Sequence, residues 1–148
     1  MHEWTMASRL ISAVQDYVKS EGGGRVVSAT IKIGTLSMID PETMKEALVT
    51  LSKSAGMEGL EFKVELADTR FECRRCGAQW SFGDVEKDLL QAVPPELMIL
   101  DESGHRDAPT HYLPELIYAW MKCPKCGSKN YDIADVSGAA LESVVLER

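Results

Sequence analysis

No apolar run in this 148-residue chain approaches the ~20 residues that span a bilayer, so a helical membrane span is excluded. No basic region followed by an apolar stretch opens the sequence, which carries His2 and Glu3 there instead. We therefore read no export signal and expect a cytoplasmic protein. Positive charge is scarce: 16 Lys and Arg against 23 Asp and Glu leave a formal −7. Such a balance repels phosphate backbones, whose neutralisation by cations supplies most nucleic-acid affinity, and argues against DNA or RNA as a partner. A phosphate-binding glycine loop, an activated nucleophile and a repeat beyond two cysteine pairs are also missing, so no enzyme is expected. What remains, with 45% hydrophobic and 26% charged residues, is the balance of a soluble globular chain, long enough for one ordinary domain or two small ones.

Periodicity supplies the elements. Trp4, Ala7, Leu10, Ile11, Val14, Tyr17 and Val18 recur at three- and four-residue spacing and line one face of a predicted helix, stopped at Gly22-Gly23-Gly24. Val27, Ala29, Ile31 and Ile33 alternate with polar residues as a strand with one buried face. Asp40 as N-cap and Pro41 at the first helical position announce a second helix that presents Met44, Ala47, Leu48, Leu51 and Ala55. Leu60, Phe62, Val64 and Leu66 form a second alternating strand. A third, at Ala140 to Leu146, would help cover the sheet, with Leu141 and Val145 on one face and Val144 and Leu146 on the other. A hairpin return is expected at Gln79 to Phe82. Pro94, Pro95, Gly104 and Pro109 predict short helical turns and loops rather than one element from Asp84 to Pro109, and Leu116 to Trp120 suggests a short helix or apolar turn.

Cys73-Arg74-Arg75-Cys76-Gly77 and Cys123-Pro124-Lys125-Cys126-Gly127 are the halves of a tetrahedral thiolate site, each a tight turn that aims two sulfurs inward. Without sign of export, paired Cys-x-x-Cys turns favour metal over disulfides. The 46 intervening residues do not exclude a shared ion, because loop closure costs only ~0.6 kcal/mol more per doubling of length. Four thiolates fill a tetrahedral Zn(II) and leave no open position, so the expected role is structural, and the ion takes the charge from −7 to −9. Arg74, Arg75 and Lys125 fit thiolate stabilisation.

His2 follows the initiating methionine. The α-amine of Met1, the amide nitrogen of His2 and its imidazole can close fused rings around one ion, and nitrogen-rich planar sites suit Ni(II) or Cu(II). Taken alone, His2 reads first as a metal-free histidine of an exposed terminus, and His105 and His111 as solvated or hydrogen-bonding loop residues.

Met1-His2-Glu3-Trp4, the amphipathic helix behind it and Cys123-Pro124-Lys125-Cys126-Gly127-Ser128 together resemble the HypA family of hydrogenase maturation nickel metallochaperones, over essentially the whole chain. The long segment between the cysteine pairs is similar to archaeal members. The resemblance implies an α+β fold: a small mixed sheet of three strands with two helices (residues 1–70 and 138–148), plus an inserted zinc-ribbon-like domain (71–137, with its own inserted segment 84–118). It implies transient Ni(II) held by Met1, His2 and Glu3, structural Zn(II) on Cys73, Cys76, Cys123 and Cys126, and His111 as a further nickel ligand, with His105 matching less well. It also implies a HypB-type nucleotide hydrolase and the large subunit of a [NiFe] hydrogenase as partners, no nucleic acid or membrane, and leaves a homo-oligomer open. The rival reading is a zinc-ribbon protein-interaction adaptor without nickel function.

Overall fold

Helix α1 (His2–Ser20) and helix α2 (Pro41–Ser54) cover one face of a three-stranded sheet made by β1 (Arg25–Gly34), β2 (Glu61–Ala67) and β8 (Ala139–Glu147), in the order β2-β1-β8. The structure, a computed structural model, describes residues 2–100, 104, 106–109, 114–134 and 138–147. Two compact units are present, Met1–Ile33 with Ile39–Leu66 and Ala139–Arg148, and Gly34–Met38 with Ala67–Gly138. No described helix is long and apolar enough to cross a membrane.

In the first unit, Ala7, Leu10, Ile11 and Val14 of α1 and Met44, Ala47 and Leu48 of α2 are buried against Ala29, Ile31, Ile33 and Phe62, each large side chain contributing about 1.5–3 kcal/mol. Asp40 caps α2 as expected: its carboxylate accepts the Glu42 N–H at 3.3 Å and the Thr43 hydroxyl at 2.6 Å, and Pro41 opens the helix. The Thr43 bond leads the causes that hold the Asp40 carboxyl below its usual range. The ends of the predicted faces are more open than expected, with Trp4, Tyr17 and Leu66 exposed.

The sheet corrects two side-chain assignments. Strands β1 and β8 are antiparallel, but Thr30 pairs Ser143 while Ile31 pairs Leu141, so Glu142 is an extra residue. Such a bulge resets the alternation of inward and outward side chains. Leu141 and Val144 therefore both pack on the core, and Val145, predicted to accompany Leu141, is exposed. A second irregularity leaves Val27 without a place in the ladder between Val26 and Ser28, and Val26 packs on the core in its stead.

The second unit is built on β3 (Arg70–Cys73), β4 (Gln79–Ser81) and β7 (Tyr131–Ile133), in the order β4-β3-β7 with both pairings antiparallel. Phe71 stacks on Trp80 at 5.8 Å and meets Tyr131 edge-on at 5.9 Å, the geometries favoured by ring quadrupoles. The Tyr131 hydroxyl donates to Met121 O at 3.1 Å and reaches Ile117 O at 3.4 Å, which ties β7 to the 3-10 turn Pro114–Ala119 and the residues just after it.

The segment expected to hold short helical turns and loops begins instead with one helix of 11 residues, α3 (Phe82–Ala92), which buries Phe82, Val85 and Leu89 at helical spacing. Its start signal is local: the Asp84 carboxylate accepts the Ser81 N–H at 2.9 Å, the backward bond of a capping box. The prolines that argued against a helix lie beyond it, and Pro94 merely ends it. A two-stranded ribbon of β5 (Ile99–Leu100) and β6 (Arg106–Asp107) follows.

Thr35, Leu36 and Ser37 form a 3-10 turn that belongs to the second unit. The Thr35 hydroxyl donates to Asp68 at 2.7 Å and accepts the Thr69 N–H at 3.0 Å, the Leu36 N–H donates to the Thr69 hydroxyl, and the Gly83 N–H also donates to Asp68. Buried Leu36 joins Phe71 and Trp80 in the core.

Candidate metal centre

The two cysteine turns have one geometry. The Cys73 N–H donates to Ala78 O and the Cys123 N–H to Ser128 O, each at 2.8 Å, and the Gly77 and Gly127 N–H groups return to Cys73 O and Cys123 O at 3.0 and 2.9 Å. Gly77 and Gly127 both adopt φ +76°, where a Cβ would crowd the following carbonyl. The Cys76 and Cys126 N–H groups point at the Cys73 and Cys123 sulfurs, each at 3.5 Å. The arms are thus related by an approximate two-fold. Strand β3 presents the first knuckle, and the second follows the 3-10 turn that Tyr131 anchors.

All four sulfurs lie within 4.8 Å of one another. Cys73 to Cys126 and Cys76 to Cys123 are each 3.6 Å apart. A tetrahedron with Zn–S bonds of ~2.3 Å has edges of about 3.8 Å, so the cage has the size and donor set of a zinc site. Cys73 and Cys123 are buried while Cys76 and Cys126 face solvent. The Cys76 N–H, with that of Arg75, draws the Cys73 thiol down to about 6. The Ser128 N–H lowers Cys126, but burial and the three neighbouring sulfurs outweigh it and push that thiol up to about 11. Zn(II), when bound, supplies Lewis-acid charge that holds all four groups as thiolates, in a closed shell without a substrate position.

One expectation about the surrounding cations is corrected. The groups that stabilise thiolate here are backbone N–H donors, whereas the Arg74 guanidinium turns to Asp132, donating from Nε to Oδ2 at 2.8 Å and from its terminal nitrogen to Oδ1. With the Arg74 N–H bonded to Asn130 O at 2.9 Å, this residue fastens the first knuckle to β7. The Cys-x-x-Cys spacing carries no signal for that partner, 58 residues away.

Of the amino-terminal candidates, Glu3 stands in the first turn of α1. His2 is the first residue of that helix, so its amide nitrogen has no intrahelical carbonyl to bond. Met1, His105 and His111 lie outside the described residues, as does the His2 side chain. Among the described residues the four cysteines are the one cluster with metal-ligand spacing.

The family model described as "Hydrogenase/urease nickel incorporation, metallochaperone, hypA" matches residues 1–146. The chain is 31% identical to the hydrogenase maturation factor HypA of Ignicoccus hospitalis, over 96% of this chain and 94% of that one. It is 28% identical to that of Pyrococcus furiosus, over 100% and 97%. In fold it resembles the solution structure of the Ni metallochaperone HypA from Helicobacter pylori, with a TM-score of 0.58 at 20% identity, covering 99% of this chain and 97% of that one. With a full-length family match and a cage of four cysteines behind an amino-terminal helix, the chain belongs to the HypA family of nickel-incorporation metallochaperones.

Proposed function

We propose that this protein captures Ni(II) through the Met1 amine, the His2 amide and imidazole and the adjacent Glu3, and passes it to a maturing [NiFe] hydrogenase with a HypB-type nucleotide hydrolase. Nickel is cargo in this reading and zinc is structural. The observation that carries it is the placement of His2 at the first position of α1 in a chain of this family. There the backbone nitrogen is free of the helical ladder, so metal binding breaks no internal hydrogen bond. The positive end of the helix dipole favours the amidate formed when that nitrogen loses its proton. Glu3, in the same turn, offsets the repulsion between the dipole and the incoming cation.

Two metals are kept apart by geometry. Imidazole and amidate nitrogens favour a planar ion, and four thiolates a tetrahedral one, so discrimination does not rest on raw affinity. Because the nitrogen ligands must lose protons to bind, nickel affinity falls as pH falls, which offers a route to release. His111, from the inserted segment, is proposed as an additional ligand.

The test is nickel titration of protein with an untagged amino terminus, followed by absorption spectroscopy. His2→Ala, or one residue added before Met1, is expected to abolish tight binding while zinc content stays at one per chain. Retained nickel affinity in both variants refutes the terminal chelate and favours a zinc-ribbon adaptor. His111→Ala is expected to alter the nickel spectrum, and an unchanged spectrum removes it from the site.

A further inference from the structure

Charge is segregated in this acidic chain. Arg70, Arg74, Arg75, Lys122, Lys125 and Lys129 fall in the two arms of the cysteine centre, 70–78 and 119–130, where Glu72 is the one acid. Six cations against one acid give these arms +5, which leaves −12 for the rest of a chain whose total is −7. All six cations are exposed. Arg74 is engaged by Asp132, whereas Arg75, Lys122 and Lys125 have no carboxylate within ion-pair distance among the described residues. Arg75 and Lys125 immediately precede Cys76 and Cys126, whose sulfurs lie within 4.8 Å of each other, so the two-fold brings both cations to one tip. Four thiolates on one Zn(II) contribute about −2, which leaves the arms positive.

Beside this tip, between α3 and the second knuckle, is a recess of about 410 Å³ with Val85, Leu89, Trp120 and Met121 in its walls. Lys122 lines it too, and Asp88 is the single carboxylate among its lining residues. An apolar recess next to the second knuckle, with Lys122 in its lining and Lys125 in the adjoining turn, matches a partner that offers one apolar side chain followed by acids that reach the tip. At physiological salt, charges further than ~8 Å are screened, so a docking segment senses the local positive face and not the net charge. A nucleic acid fits less well, because the rest of the chain carries −12 and repels dense phosphates.

We propose that the basic knuckle tip and the adjoining recess form a docking face for an acidic protein segment that inserts an apolar anchor residue between α3 and the second knuckle. The cations provide steering and register, and the recess provides the buried contact. This face is separate from the nickel ligands and functions without nickel.

The probe is a fluorescein-labelled synthetic peptide with a central Leu-Phe flanked by Asp and Glu, titrated with the nickel-free, zinc-loaded full chain and read by anisotropy. Binding is expected to be saturable and to weaken about fivefold or more between 50 and 200 mM salt. Arg75→Glu with Lys125→Glu should weaken it about tenfold or more, with unchanged zinc content and circular dichroism. Trp120→Ala should weaken this peptide but not an all-acidic control. The proposal is overturned if the wild-type chain shows no saturable binding, if the charge-reversed chain binds equally, or if a single-stranded oligonucleotide of similar length binds more tightly than the peptide. It is also overturned if sedimentation shows the face consumed by a second copy of this chain.

Discussion

Replacing Gly77 or Gly127 by alanine isolates backbone conformation at the metal centre. At both positions φ is +76°, and a Cβ built on either glycine meets nothing within 4 Å. Tertiary crowding is therefore absent, and the cost is the intrinsic penalty of an L-residue in the left-handed region, about 1–2 kcal/mol. Binding of a structural zinc and closure of its knuckles are one process, so this penalty enters the apparent zinc affinity. At 1.4 kcal/mol per tenfold, each variant should bind zinc about 5–30-fold more weakly. The equal geometry of the turns demands nearly equal losses, and asparagine, which tolerates this region better, should lose less than alanine at both positions. Competition against a metallochromic chelator measures all of these. Wild-type affinity in either alanine variant, or losses more than tenfold apart, would refute the reasoning.

Two further predictions concern the first unit, which holds no cysteine. Val144→Ser should destabilise it by about 1–2 kcal/mol, whereas Val145→Ser, at a side chain 52% exposed, should be nearly neutral in urea unfolding; a reversed order would place the bulge elsewhere. Asp40→Ala should cost about 1 kcal/mol at neutral pH through the lost cap of α2. Because the folded carboxyl is held below 3.8, this contribution is complete above the unfolded value and fades as pH falls through the folded one, so wild type and variant should converge in acid. A pH-independent gap between their unfolding midpoints would show that the carboxylate charge is not involved.

Much of the fold and the zinc cage was legible because the information is local. Helix α2 announced itself through Asp40 and Pro41, whose cap and fixed φ act within one turn. The two Cys-x-x-Cys-Gly turns encode their own hydrogen bonds and left-handed glycines, so each half of the cage could be drawn before the halves were brought together. Helix α3 was equally local: the Ser81 to Asp84 spacing is a start signal present in the sequence, and Pro94 and Pro95, which suggest short turns, lie beyond the helix.

What the tertiary structure alone decided depends on pairs distant in the chain. Periodicity cannot reveal that Glu142 is an extra residue opposite β1, because a bulge exists only relative to a partner strand. Nor can it assign Thr35–Ser37, enclosed in sequence by elements of the first unit, to the second, where Asp68 and Thr69 receive it. The sequence offers Arg74 as a partner of thiolates, whereas the return of β7 supplies Asp132. The basic tip likewise required two arms, harmless in a composition that sums to −7, to meet at one metal centre. Local propensities and caps act within a few residues, whereas register, partnership and charge segregation are set when segments far apart in sequence share one core or one ion.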